Sequence, residues 1–298
     1  MTDKHILHML TPLKHMSPFD VNMALDAGYE AAIAYTNVTL EEVGGLVQDA
    51  IFSRPPKTGV RTGMFIGGKN AILALDMLSA AKKALVPPFG ISFFADPAGS
   101  FTTAAAMVAC VEKTLIDKKK RNLKALKTVV FGATGVVGFS SAVIAALEGA
   151  DVTLVGYDGV KRVSDAAREI KTRFQVDVRA ADGSDDTKKA NILTQAEAAL
   201  CAGRAGVRIL SSTQLAQAKR LLIVADVNAV PPSGVEGLDM MANGAELTAN
   251  GTLGVGPLAI GNIKYKTESG LFQRMIAATK PVTFDFRDAF QLARELNG

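Results

Sequence analysis

Apolar and polar positions along the chain switch between short runs of period two and longer stretches with a helical repeat. Residues 6–10 read as a strand. Ser17-Pro18 is an N-cap followed by proline at the first helical position, which opens a helix over 18–27. Residues 31–35 form a second strand candidate that ends at Asn37. Thr39, with Glu42 three residues on, has the capping-box pattern for a helix reaching about residue 48. A strand at 62–66 is stopped by Gly67-Gly68, and a helix over 70–85 is ended by Pro87-Pro88. Residues 91–94 are the next strand. Asp96-Pro97-Ala98-Gly99-Ser100 then turns the chain into an Ala-rich helix over 101–116. This alternation predicts a small parallel or mixed sheet in the first part of the chain.

The second part repeats the rhythm. A strand at 128–131 enters Gly132-Ala133-Thr134-Gly135-Val136-Val137-Gly138, and a helix follows to residue 148. A strand at 151–155, a helix at 163–174, a strand at 176–179 and a helix at 185–195 come next. Residues 198–202 and 207–210 are short apolar pieces around a glycine turn, and 221–226 is a strong strand broken at Asn228 and Pro231-Pro232. This is the βαβαβ order of a doubly wound sheet. The tail offers an extended piece at 282–284 and a helix at 286–296, with Asp285 as N-cap and Asp288 three residues on.

Composition narrows the class. The chain has 298 residues, of which 48% are hydrophobic and 21% charged, enough for two ordinary α/β domains. The 33 basic and 29 acidic residues leave a net charge of +4. Much of the excess sits at Lys118-Lys119-Lys120-Arg121, Lys124 and Lys127. Without interleaved aromatics this run reads as a solvated face near an interdomain linker rather than a nucleic-acid site. Cys110 and Cys201 lie in apolar runs and read as core residues, not as a metal set. The first residues have no sustained apolar core and no stretch is long enough to span a bilayer, so a cytoplasmic protein without membrane partners is expected.

The chemistry concentrates at the glycines. Gly132, Gly135 and Gly138 sit between a strand and an apolar helix, although the first gap is one residue longer than in the usual fingerprint. Gly132 permits the sharp exit from the strand, Gly135 brings backbone amides to a pyrophosphate, and Gly138 lets helix and sheet approach. The helix N-terminus supplies oriented N–H donors. This is a Rossmann-type dinucleotide site in which Thr134, Val136 and Val137 complete the loop. No Gly-Lys-Ser or Gly-Lys-Thr ends the segment, which excludes a Walker loop. Asp158 stands 20 residues after Gly138, the spacing of a carboxylate that bonds the ribose 2′-hydroxyl of NAD; a turn or capping duty is equally open. Lys161 and Arg162 follow closely and suit the 2′-phosphate of NADP, so use of both cofactors is expected. Ala202, Gly203, Asp226, Asn228 and Gly254 are further pocket positions, the last in a loop after the final strand.

Several segments together resemble the NAD(P)-dependent methylene-tetrahydromethanopterin dehydrogenases. They are Asn37-Val38-Thr39, Phe65-Ile66-Gly67-Gly68, Asp96 through Ala106, Gly132 through Gly138, Val224 through Pro232, and Gly251 through Gly256. The resemblance implies an N-terminal catalytic domain and a C-terminal Rossmann domain with the cleft between them. We place the pterin-binding domain at 1–123, with the helix at 285–298 packing back on it, and the NAD(P)-binding domain at 124–284. It implies oxidation of the methylene carbon bridging N5 and N10 of tetrahydromethanopterin by direct hydride transfer to NAD+ or NADP+, without a metal, in a cytoplasmic homo-oligomer such as a trimer. Some relatives use only NADP and carry arginine where this chain has Tyr157, a departure that favours use of NAD here. A methylene-tetrahydrofolate dehydrogenase and a nonenzymatic dinucleotide sensor are the competing readings.

Hydride loss from a carbon between two nitrogens leaves a delocalised cation, and no proton must leave that carbon. Placement can therefore carry most of the work, in keeping with the lack of a Ser/His/Asp order or a paired-carboxylate motif. His5, His8 and His15 read as surface or strand-edge residues. The candidates for catalysis are Lys264, Asp96 and Asp20. Asn37, Ser100, Thr102, Thr103 and Lys266 are candidates for substrate contact. Asp96 is divided between substrate contact and turn formation, and Ser100 between substrate contact and helix capping. Lys57 and Arg61 are candidates for the anionic tail of the pterin.

Overall fold

Alternating apolar runs and capped helices give two compact units in the computed structural model, which describes residues 3–298. The first unit runs to Thr102 and takes in Tyr265–Leu292; the second comprises Thr103–Lys264 and Ala293–Gly298.

In the first unit β1 (Ile6–Leu10), α1 (Pro18–Asp26), β2 (Ala31–Tyr35), α2 (Val43–Phe52), β3 (Thr62–Ile66), α3 (Ala71–Lys83) and β4 (Ser92–Ala95) follow in order. With β12 (Thr283–Phe284) the strands form a parallel sheet in the order β12-β4-β3-β1-β2. β3 and β4 are buried at every position, as expected of strands covered on both faces. Phe65 and Phe94 on these strands meet Phe272 with ring centroids 5.6 and 5.2 Å away, and Tyr29 meets the same ring at 6.2 Å. Each such buried phenylalanine contributes roughly 1.5–3 kcal/mol of transfer free energy.

α4 (Ser100–Lys119) leads to the second unit, where the order is β5 (Lys127–Phe131), α5 (Val136–Leu147), β6 (Asp151–Gly156), α6 (Lys161–Phe174), β7 (Arg179–Asp182), α7 (Asp186–Leu193), β8 (Ala198–Cys201), α8 (Ser212–Gln217), β9 (Ile223–Asp226), β10 (Asn243–Glu246), β11 (Leu253–Val255) and the start of α9 (Pro257–Ala277), whose residues from Tyr265 on belong to the first unit. α10 (Phe286–Asn297) ends the chain. The sheet runs β10-β11-β9-β8-β5-β6-β7, parallel except for the antiparallel edge strand β10. Six parallel strands in this order are the Rossmann arrangement, and the direction of winding reverses between β5 and β8. Cys201 is in the core of this unit and Cys110 is buried on α4.

Several expectations are corrected. The capping box at Thr39 forms only in part. The Glu42 carboxylate accepts from the Thr39 N–H at 2.7 Å, but the helix begins at Val43. The strand expected at 176–179 is shifted to Arg179–Asp182, because Gln175 ends α6 in the left-handed region and a connecting segment follows. Residues 207–210 make only one isolated bridge, Leu210 to Val235. Gly254 lies inside β11 rather than in a loop. α8 and the long α9 were not expected from the pattern; Gly261 and Gly270 interrupt the helical repeat of α9 as loop residues do. The basic run has a use in the fold. Lys118 and Lys119, at the end of α4, donate to the carbonyls of Gly244 and Gly251 at 2.8 and 2.9 Å, and so hold the β10–β11 hairpin.

Phe286, at the start of α10, packs on Phe101 at 5.1 Å. Near the other end Arg294 forks onto Glu112 at 2.7 and 3.0 Å and reaches Glu148 at 2.6 Å. Glu112 is 8% exposed, so losing its partner leaves a nearly buried charge. Arg294→Ala should cost about 2–3 kcal/mol, below the ~3–5 of a fully buried pair because Arg294, 35% exposed, is partly screened by solvent. The urea midpoint measures it. Glu112→Gln in the same background should recover part of the loss, and an unchanged midpoint for Arg294→Ala would show that the pair is dispensable.

Candidate functional site

Parallel strands place all their C-terminal ends on one edge of a sheet, and ligands gather there. In the second unit that edge carries the glycine loop. Gly132 leaves β5 with φ +74°, and a Cβ there would overlap the carbonyl of Ala202 and lie 2.8 Å from the nitrogen of Gly203. A Cβ at Gly138 would overlap the Gly132 carbonyl oxygen. The two glycines thus let β5, α5 and the end of β8 touch through backbone alone. Gly135 is the N-cap of α5, with no side-chain cap, and leads into Val136, Val137 and Gly138 at the N-terminus of a 12-residue helix. Thr134 and Gly135 are exposed. Uncapped N–H groups opposite an open surface are what a pyrophosphate requires, and this cradle fits a dinucleotide. Ala202 and Gly203 form its wall.

The end of β6 lies beside it. A Cβ at Gly156 would overlap the carbonyl of Gly159, so the chain folds back sharply and turns Tyr157 and Asp158 outward. In the sequence this requirement is visible only as a glycine directly after the strand at 151–155. Arg162, on the first turn of α6, donates to the Tyr157 hydroxyl at 3.0 Å, to Asp158 at 3.2 Å and to Thr134 of the glycine loop at 3.3 Å. Its guanidinium lies 5.7 Å from the Tyr157 ring centroid. The Arg162 and Asp158 side chains are 52% and 37% exposed, so solvent screens their pairing and it adds little to stability. Lys161 is exposed beside them.

Asp226 and Asn228 are buried at the end of β9. Asp226 accepts from the N–H groups of Asn228 at 3.0 Å and Val235 at 3.1 Å. Asn228 accepts from Gly206 and Val230 and donates to the Pro232 carbonyl. Together they shape the loops that border the edge. Burial raises the Asp226 carboxyl pKa against those N–H bonds, and burial with the neighbouring Asp226 carboxylate pushes the Cys201 thiol well up. That thiol is therefore an inert core group.

In the first unit Asn37 and Asp96 stand at the C-terminal ends of β2 and β4, and Asp20 is in the first turn of α1, which follows β1. Asn37 is exposed, with φ +56°. Asp96 is fully buried. One carboxylate oxygen accepts from the Phe101 and Thr102 N–H groups at 2.7 and 3.3 Å, and the other from the Thr102 hydroxyl at 2.6 Å. These are the bonds of a turn and a helix cap. Ser100 bonds back to Ala98 at 3.5 Å, and Thr103 is half-buried. Asp20 is 2% exposed on a helix capped by Ser17. Arg61 stands at the opposite edge, before β3, and donates to the Asp3 carbonyl at 2.8 Å, so it does not join this group; Lys57 lies exposed a few residues before it. Lys264 and Lys266 lie on α9, the first half-buried and the second exposed. His8 bonds the Tyr35 hydroxyl at 3.0 Å between adjacent strands, and burial, with Arg54, lowers its pKa.

Residues 18–98 match the family model described as "Methylene-tetrahydromethanopterin dehydrogenase, N-terminal". The chain is 54% identical over 295 residues, 99% of both chains, to the NAD(P)-dependent methylenetetrahydromethanopterin dehydrogenase of Methylorubrum extorquens. It is 35% identical to the bifunctional protein MdtA of the same organism, over 94% of each chain. Among solved structures, the NAD-dependent malic enzyme of Thermotoga maritima superposes with a TM-score of 0.57 at 12% identity, over 97% of this chain and 84% of that one, a likeness of fold alone.

The glycines separate two effects. Gly132→Ala should lower the melting temperature and remove dinucleotide binding, because the added carbon has no room. Gly135→Ala meets only the Gly132 oxygen at 3.4 Å, an ordinary contact. It should melt near the unaltered protein while binding a dinucleotide at least tenfold more weakly. Thermal melts and fluorescence titrations measure both; unchanged binding in Gly135→Ala would move the phosphates elsewhere.

Proposed function

The chain belongs to the family of NAD(P)-dependent methylene-tetrahydromethanopterin dehydrogenases, and from that membership we propose which residues carry its reaction. It is an oxidoreductase of one-carbon metabolism that converts methylene- to methenyl-tetrahydromethanopterin, with hydride passing directly to NAD+ or NADP+. The observation that carries the assignment of the dinucleotide is the side-chain-free contact among Gly132, Gly138 and Ala202 beneath the uncapped start of α5.

In this reading the N–H groups at Val136, Val137 and Gly138 bind the pyrophosphate, Gly135, whose own N–H donates to the Gly132 carbonyl at 3.0 Å, keeps the approach open, and the Thr134 hydroxyl lies at the rim. Ala202 and Gly203 line the wall of the cradle. Asp226 and Asn228 act as positioning residues that hold the loops after β8 and β9, and Gly254, buried inside β11, makes room for the Leu238 side chain. Asp158 takes the ribose 2′-hydroxyl, while Lys161 and Arg162 receive the 2′-phosphate. The nucleotide-binding part, expected at 124–284, is proposed to be those of its residues that lie in the second unit, up to Lys264.

The pterin is assigned to residues 1–123 with the helix at 285–298. Asn37, Ser100, Thr103 and Lys266 orient it, while Asp96 and Thr102, proposed from the sequence as a contact but fully buried with its hydroxyl on Asp96, fix the turn that presents Ser100 and Thr103. Lys264 and Asp20 are the charged groups proposed to work at the reacting carbon, by placing the ring and balancing charge rather than by taking a proton from that carbon. The protein is further proposed to be a cytoplasmic homo-oligomer, with a trimer as the expected state. No helix among the described residues is long and apolar enough to cross a membrane.

The test is a rate comparison. Purified protein with methylene-tetrahydromethanopterin should reduce both NAD+ and NADP+, and the folate analogue should react more slowly. Strong preference for the folate, or silence with both cofactors, would overturn the assignment. Asp158→Ala should raise the KM for NAD+ roughly tenfold, the value of one charge-assisted hydrogen bond, with a smaller effect on NADP+. Lys264→Ala should lower kcat roughly a hundredfold if it fixes the reacting geometry.

A further inference from the structure

Arg162 already holds an anion within the protein. Three acceptors surround its guanidinium: Asp158, the Tyr157 hydroxyl and the Thr134 hydroxyl. Two belong to the end of β6 and the third to the glycine loop, so one side chain straps the 2′ side of the proposed nucleotide site to its phosphate side. We propose that Asp158 is a built-in stand-in for the 2′-phosphate, and that Arg162 exchanges it for that phosphate when NADP+ binds and keeps it when NAD+ binds. This rests on the dinucleotide reading given above and adds how one site serves both cofactors.

The physical case is a balance of charges. A carboxylate at the end of the second strand suits a ribose hydroxyl and repels a phosphate monoester, whose charge near neutrality is close to −2. Asp158 alone would therefore exclude NADP+. Paired with Arg162 it is locally neutralised, and the pairing is half-exposed and weak enough to give up. One terminal nitrogen of Arg162 now donates to both Asp158 and Tyr157 and the other to Thr134; the planar guanidinium can instead turn both onto phosphate oxygens as a fork. Lys161 and the N-terminus of the 14-residue α6 add positive potential at the same place. Tyr157, 70% exposed under the guanidinium, gives Arg162 a surface on which to swing without losing its apolar contact. When NAD+ binds, no phosphate competes, and Asp158 is held by Arg162 where it can accept the 2′-hydroxyl.

Exchange predicts a change of sign that a merely structural ion pair would not give. The probes are 2′,5′-ADP and ADP, titrated by calorimetry into the full-length protein and into Arg162→Met, Asp158→Asn and the double variant, with thermal melts to confirm folding. Arg162→Met should reduce the affinity ratio of 2′,5′-ADP to ADP at least tenfold. Asp158→Asn should tighten 2′,5′-ADP severalfold while weakening ADP. In the double variant the gain from Asp158→Asn should vanish, since it acts by releasing Arg162. Equal losses for both probes in Arg162→Met, or a gain from Asp158→Asn that survives without Arg162, would overturn the exchange while leaving the dinucleotide site in place. Failure of both probes to bind the unaltered protein would overturn the site itself, and the exchange with it. Arg162→Lys keeps the charge but not the fork; recovery of less than a third of the lost ratio supports the fork, and full recovery would overturn it in favour of charge alone.

Discussion

Gly132 lies against the carbonyl of Ala202 where the strand order reverses, and the site follows from that contact. β5 and β8 are hydrogen-bonded neighbours whose chains leave in different directions. At such a point two side chains would fill the space that a ligand needs. With backbone against backbone, α5 can begin close to the sheet, and its unpaired N–H groups face outward rather than into a side chain. Electrostatics then favour an anion there. Loops from β6, β8 and β9 end on the same edge because the strands are parallel, so one geometric fact gathers residues far apart in sequence.

The polar residues at these ends divide by exposure. Asp96, Asp226 and Asn228 are buried, and their oxygens accept from N–H groups of the turns they begin. A buried carboxylate needs such donors, since an unsatisfied one is costly. They therefore build the loops on which other groups stand. Thr134, Asp158, Lys161, Arg162 and Asn37 keep exposed surface and are able to meet a ligand. The same division explains the basic run at 118–121. Lys118 and Lys119 act on hairpin carbonyls, which suits cations at a helix C-terminus as well.

The long helix α9 shows how tertiary contacts override local signals. Gly261 and Gly270 lower the helical propensity of α9, yet Phe272 from this helix fills the space between Phe65 and Phe94. Burial of that ring outweighs the glycine cost. α10 is fixed near one end by the Phe286–Phe101 contact and near the other by Arg294 on two glutamates.

Sequence alone determined the alternation of strand and helix, the glycine turn after the strand at 128–131, the capped start at Ser17, and the kind of ligand the turn accepts. These depend on contacts between residues a few positions apart, which spacing records directly. Asp158 and Arg162 were legible as candidates for the same reason. The tertiary structure decided which residues meet across the chain: Gly132 with Ala202, Arg162 with Thr134, and Lys118 with the distant hairpin. It also decided that Asp96 is fully buried and that Arg61 stands at the edge opposite Asn37. Such facts depend on strand order and on which side chains lose their water, and neither is written in the local spacing of one segment.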